Sequence, residues 1–349
     1  MKLPATMALL WLALTSIAQA QNVSGTVLNG TLRHPAVGDE VLLLRYGQGL
    51  QQVARTTTDA NGRYSFNNKL SGPYVVRVIH NGQVYDREPH PGARYVDLEV
   101  FDTASMVKQV STAMVVVGLQ AHTNNLQAVE LHVLENTSNP PRALDGSIGF
   151  EASLPRGAEL EWVRGKASGE RPVNIFPVQI GNNSYRVHFP LRPGETRLQI
   201  AYRIKYSGST TVSLRFPEAA RRVDIIVPEG LHFTPLNGLH IQRVKEQGAE
   251  LEMLAGVAPG QTITFHVAGV ALAENPPQDN FKSQPARAPA PTASETPPVG
   301  HPNEGHAPPI RESNALHSVY ILTAALILIS IATVGLRVVL PRLKLAARS

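Results

Sequence analysis

Arg197-Leu198-Gln199-Ile200-Ala201-Tyr202-Arg203-Ile204 alternates polar and apolar side chains along its length. Alternation carried by Ile, Leu and Tyr is the mark of a half-buried β-strand. The same pattern returns in Glu130-Leu131-His132-Val133-Leu134, in Tyr185-Arg186-Val187-His188-Phe189 and in Thr262-Ile263-Thr264-Phe265-His266-Val267. Turn-forming pairs punctuate these runs: Asn61-Gly62, Asn81-Gly82, Asp145-Gly146, Pro193-Gly194, Asn237-Gly238 and Pro259-Gly260. No stretch between Gln21 and Gly269 has the spacing of an amphipathic helix. Many short strands with regular turns predict an all-β chain of tandem β-sandwich modules of the Ig or transthyretin-like type.

The ends of the chain read differently. No charged residue occurs between Glu312 and Arg337, and Leu316 to Leu336 is mostly apolar. A bilayer core of about 30 Å needs roughly 20 apolar residues as a helix, so residues 313–336 are expected to span a membrane once. Arg337, Arg342, Lys344 and Arg348 follow with no acid among them. Such a cluster stays on the cytoplasmic side, which makes 337–349 a short cytoplasmic tail. At the other end, Lys2, the apolar run Met7 to Leu14 and the small-residue site Ala18-Gln19-Ala20 read as a cleaved signal peptide, residues 1–20. Between head and span, residues 272–312 hold ten of the chain's 27 prolines. That composition cannot offset its ordering entropy by burying apolar area. A polyproline stalk of this length would reach on the order of 120 Å.

Charge and cysteine content narrow the function classes. The chain has 32 Lys and Arg against 27 Asp and Glu, a net of +5. Lys2 and the four tail cations supply the whole excess, so residues 21–336 are neutral overall. The basic face of a nucleic-acid reader is not expected, and the tail charge belongs to membrane orientation. With no cysteine, disulfides, thiolate metal sites and Cys nucleophiles are excluded. An exported head of this size has a large enough core to fold without disulfides. These features together point to a bacterial inner membrane, with the head periplasmic or extracellular and the C-terminus cytoplasmic. The sequons at Asn22, Asn29, Asn136 and Asn182 are then chance matches.

Within a first module of residues 21–103, residues 22–102 carry a more specific pattern. Val23-Ser24-Gly25-Thr26-Val27 is followed by Val37-Gly38-Asp39-Glu40-Val41-Leu42-Leu43-Leu44. Then come Thr56-Thr57-Thr58-Asp59-Ala60-Asn61-Gly62-Arg63-Tyr64-Ser65-Phe66 and Gly72-Pro73-Tyr74-Val75-Val76-Arg77-Val78. This order resembles the carboxypeptidase regulatory-like family, close to the collagen-adhesin B-type repeat and the transthyretin-like sandwich. The resemblance implies a non-catalytic binding or spacer module with no active site to carry over. Physically, Asp59 can cap a turn through nearby backbone, and Asn61-Gly62 tolerates positive φ. Tyr64 and Phe66 would then point together into the core. A calcium loop is not expected, since the twelfth position is Leu70 rather than Glu. Lys69, beside a turn, is misplaced for an internal isopeptide bond.

Residues 104–271 resemble no named family. Arg192-Pro193-Gly194-Glu195-Thr196 and Ala258-Pro259-Gly260-Gln261-Thr262 echo each other. That echo allows two sub-modules meeting near Tyr206–Thr211. None of the 12 histidines forms a helical ligand pair, and a lone strand histidine such as His122, His132, His232 or His240 reads as a surface or half-buried residue. Gly165-Lys166-Ala167-Ser168-Gly169 reads as a hairpin loop. Glu159 and Glu161 read as a solvated strand face. Trp162, Tyr202, Tyr206 and Phe216 read as core aromatics rather than a sugar platform. No catalytic residue, cofactor or metal is expected. The leading expectation is a membrane-tethered head that binds or scaffolds a protein or carbohydrate partner. The alternative is a tethered hydrolase or carbohydrate-binding protein that uses residues 104–271.

Overall fold

A computed structural model describes residues 22–270, apart from 48, 68–71, 147–148 and 247–248. Residues 1–20, where a signal peptide is expected, Lys69, the Pro-rich stretch, the charge-free stretch and the C-terminal residues with Arg337, Arg342, Lys344 and Arg348 lie outside the described residues. Among the described residues the chain is all-β, and no helix is long and apolar enough to cross a membrane.

Two sandwich-like groups of sheets follow one another. In the first, strand Val23–Asn29 is central. It pairs antiparallel with Arg63–Phe66 and His34–Pro35, and parallel with Leu98–Val100. A second four-stranded sheet runs Gly49–Thr57, Glu40–Gly47, Tyr74–His80, Gln83–Arg87. The inward faces meet in one core that includes Val41, Leu43, Tyr64, Phe66, Val76 and Val100. Glycine allows the closest approach. A Cβ on Gly25 would lie 1.9 Å from the Val96 carbonyl oxygen, so only glycine lets residues 94–98 run against the first strand.

The second group is built on an eight-stranded sheet ordered Val173–Ile175, Glu159–Ala167, Gly194–Lys205, Asn125–Asn136, Val110–Ala121, Val223–Pro228, Ala249–Leu254, Gln242–Glu246. Two three-stranded sheets accompany it. One is Phe150–Ser153, Ser184–Val187, Val178–Gln179; the other is Ser209–Arg215, Thr262–Gly269, Leu231–Pro235. A single buried cluster unites residues from Val115 to Val267, with Tyr202 and Phe265 among its largest fully buried members. Strands on both sides of Tyr206–Thr211 contribute to it. The eight-stranded sheet is apolar on its other face too, around Val116, Val129, Leu131, Val133 and Ala201.

Two local readings need correction. Gly165–Ala167 form the end of strand Glu159–Ala167, so only Ser168 and Gly169 lie in the turn expected there. The five-residue reading failed because Glu159–Ala167 pairs with Gly194–Lys205 as far as Ala167, opposite Thr196. His132 is buried, deeper than the surface or half-buried position expected for it, because its strand is apolar on both faces and the even-numbered side chains enter the larger core.

Candidate functional site

The turn Asp59–Gly62 forms first from local chemistry. The Asp59 carboxylate accepts from the backbone N–H of Asn61 and of Arg63, each at 2.8 Å. These two bonds hold its pKa below the ordinary carboxylate range. Asn61 stands in this turn, and Gly62 takes φ +70. A Cβ on Gly62 would come within 2.5 Å of the Val27 carbonyl oxygen. The strand that follows then turns Tyr64 and Phe66 to the same buried side, their rings edge-on with centroids 5.7 Å apart. The Tyr64 hydroxyl donates to the Val96 carbonyl. This constellation is structural: its polar atoms are spent on the neighbouring backbone.

A different group of polar residues gathers where the two parts of the head meet. His80 ends strand Tyr74–His80, and the turn Asn81-Gly82 follows with positive φ at both residues. Its ring, largely buried, lies between two carboxylates. Nδ1 is 2.8 Å from Asp39 Oδ2, and Nε2 is 3.1 Å from Asp102 Oδ1. Asn29 Nδ2 donates to Asp102 Oδ1 at 2.9 Å, while its Oδ1 accepts from the N–H of Thr31. Asp39, His80 and Asp102 each stand at the edge of a strand, so three strand ends converge on one point. Two charge-assisted bonds favour the imidazolium form. The Asp39 bond, opposed by burial and aided by Asp102, raises the His80 pKa. Burial lifts the Asp102 carboxyl, but the bonds from Asn29 and His80 outweigh it and hold its pKa below the ordinary value.

The same place carries the covalent and hydrogen-bonded passage into the second part. Thr31 Oγ1 donates to the Pro141 carbonyl at 2.6 Å and accepts from the Asp102 N–H at 2.9 Å. Thr103–Ala104 pairs parallel with Ala143–Leu144. Beside it, Arg192 lies over the Tyr85 ring, 4.3 Å from its centroid, and binds Glu170 and the Val84 carbonyl. Burial depresses the Arg192 pKa, with Tyr85 and Asp86 opposing. Arg171 pairs with Glu88 and covers the Tyr46 ring. A cleft of about 230 Å³ opens between Tyr85, Phe101, Gly169 and Arg192.

A third polar group lies inside the second core. Glu130 and His132 face the larger core from one strand. Tyr202 donates its hydroxyl to Glu130 Oε1 at 2.7 Å, and His132 Nε2 is 2.9 Å from Glu130 Oε2. Burial, reinforced by Glu130, pushes the Tyr202 pKa well up. The His132 ring packs edge-on against Phe150 at 4.9 Å. Next to it is a cavity of about 20 Å³, the room one water needs. Glu218 stands at its mouth with a pKa raised by partial burial, despite the nearby His132.

Sequence reasoning passed over His80, Asp39 and Asp102, because residues so far apart along the chain share no spacing. It also missed Glu130 and His132 as a pair, since the alternation suggested that they face water. Of the other groups weighed from sequence, Glu159 forms an exposed pair with Arg203 at 2.7 Å, and Glu161 accepts from Gln127 at 2.6 Å. Tyr202, Tyr206 and Phe216 are buried, while Trp162 lies under the Arg164 guanidinium on the opposite sheet face. Among the described residues, no three His, Cys, Asp or Glu side chains form a group that could hold a metal ion.

No family model matches the chain, and no curated protein matches it. Among solved structures it is similar to an M1 zinc metallopeptidase from Deinococcus radiodurans, at 12% identity over 46% of this chain, with a TM-score of 0.27. A mutant of that enzyme bound to a Tyr-Ser-Ala substrate gives the same identity and TM-score. The match spans 42% and 43% of those two chains, less than half of their length.

Proposed function

We propose that this chain is a single-pass envelope protein whose tandem β-sandwich head is held outside the cytoplasm and binds or scaffolds a partner without catalysis. The tether is the charge-free stretch 313–336 with its basic tail, and the Pro-rich stretch is the spacer. The partner is a protein or a carbohydrate outside the cytoplasm. The observation that carries a scaffolding role is the seam. Arg171 pairs with Glu88, Glu170 accepts from the Asp86 N–H, Arg192 covers Tyr85 and binds the Val84 carbonyl, and Thr31 binds the Pro141 carbonyl, all across the two parts of the head. A head braced in this way presents its outer faces in fixed relation. A flexible pair of modules would lose part of its binding energy to ordering on contact.

The test uses the full chain in its native membrane. Envelope material from the same cells, stripped of this protein, should retain it saturably. Retention that rises linearly with input, or none, would contradict a binding role. The second reading is a tethered hydrolase in residues 104–271. It has one observation behind it: a buried Glu130–His132 pair beside Glu218, whose pKa is raised. Under that reading Glu218→Gln would abolish turnover of an envelope substrate while leaving retention intact.

A further inference from the structure

The first strand is flanked on both sides, and its register places six outward side chains in two rows. Ser24 stands opposite Ser65 on one neighbour and bridges Tyr95 on the other. Thr26 stands opposite Arg63, and its backbone N–H and hydroxyl both donate to Asp97 Oδ1, at 2.8 and 2.5 Å. The alternate residues Gly25, Tyr64 and Val96 point inward and are buried. The rows are therefore the outer face of a platform made of two strands and the bridged segment 94–97 beside them. Thr57 and Asp59 border it and complete an open groove of about 650 Å³. That volume lies within the range of small-ligand sites, about 300–1,000 Å³.

The chemistry of this face is unlike that of the seam. Tyr95 is 61% exposed, an aromatic ring held out on a sheet rather than packed. Among the described residues, the hydroxyls of Ser24, Thr57, Ser65 and Tyr95 have no hydrogen-bond partner within the chain. The Arg63 guanidinium makes no hydrogen bond or close ion pair among the described residues, although its charge reaches Asp59, whereas the Asp97 carboxylate is anchored by Thr26. One cation and two carboxylates leave no field that would select a strong anion. The face offers an exposed ring flanked by groups that both donate and accept. A pyranose needs both: its C–H face lies on an aromatic ring, and each of its hydroxyls donates one bond and accepts another.

We propose that this groove is a binding site for a neutral oligosaccharide, with Tyr95 as the stacking platform and Ser24, Ser65, Thr57 and Arg63 as hydrogen-bonding partners. Gly25 sets the site, because only its missing Cβ lets the segment that carries Tyr95 lie beside the first strand. The proposal rests on the reading of the chain as an envelope binding protein and names the ligand class of that head. The surface used is the first part of the head, apart from residues 104–271.

The test takes the full chain in lipid nanodiscs, free of sugar detergents. Three probes are titrated against it: maltohexaose, cellohexaose and N-acetylchitohexaose, with saturation-transfer NMR as the readout. At least one should bind saturably below about 10 mM. Tyr95→Ala should weaken that probe at least fivefold, about 1 kcal/mol by the usual conversion, without moving the thermal midpoint. Tyr95→Trp should keep binding, and Phe176→Ser, remote in sequence and between two strands of the second group of sheets, should change nothing. Saturation by none of the three probes, or a loss under fivefold in Tyr95→Ala, overturns the proposal. If the probes fail while envelope material still retains the protein saturably, this inference falls and the binding role stands. If retention fails as well, the reading beneath it falls too.

Discussion

At the residue scale, the head depends on a few side chains with no alternative partner. Phe66 is 3% exposed and packs on Tyr64, so Phe66→Ala should cost about 3–5 kcal/mol, read from denaturant unfolding. A variant as stable as the parent would place Phe66 on the surface. Gly62→Val should also destabilise, because it combines positive φ with a contact of 2.5 Å to a fixed carbonyl. His80 makes the pH prediction. Its folded-state pKa is raised, so its contribution is complete below the unfolded value of about 6.5 and fades as pH climbs through the folded value. Asp102 is depressed, so its share is present above about 3.9 and is lost as pH falls through its folded value. The His80 cluster is therefore strongest between those limits. The midpoint gap between the parent and His80→Gln should be widest near pH 6 and shrink as pH rises through the folded-state value. A gap that grows with pH would show that the ring is held neutral.

At the element scale, strand edges decide what is braced and what is free. Arg192 enters the seam from the loop before strand Gly194–Lys205, with only 12% of its side chain exposed. Arg192→Ala strands Glu170 in a nearly closed site and should cost about 3 kcal/mol, checked by denaturant unfolding. A loss under about 0.5 kcal/mol would mean that water reaches the pair freely. Strands Val173–Ile175 and Val178–Gln179 show the opposite case. Phe176 between them is 82% exposed, so Phe176→Ser should leave stability within about 0.5 kcal/mol. The strands themselves were legible: Arg197 to Ile204 and Thr262 to Val267 alternate as read, inside Gly194–Lys205 and Thr262–Gly269. The turn at Asn61-Gly62 was legible because its chemistry is local. Which face of Asn125–Asn136 meets the larger core was not legible. Leu131 and Val133 look like the core face, yet Glu130 and His132 point there and satisfy each other with Tyr202. A strand apolar on both faces carries no signal for which side a second sheet will cover. Nor could spacing reveal Asp39, His80 and Asp102, which only the sheet topology brings together.

At the scale of the whole molecule, the fold is a braced β-head, and the unusual composition lies on either side of it. A head that folds on hydrophobic burial alone should be indifferent to metal. Residues 21–271 produced alone are expected to unfold at the same midpoint with and without a strong chelator. A drop on chelation would reveal an ion that stabilises the fold. The account as a whole turns on the head facing out from the membrane on a C-terminal anchor. The direct measurement is protease digestion of sealed membrane preparations, right-side-out against inverted, followed with antibodies to head and tail. Right-side-out preparations should lose the head and keep a short membrane-bound fragment that carries the basic tail. A head protected there and digested in inverted vesicles would contradict the account.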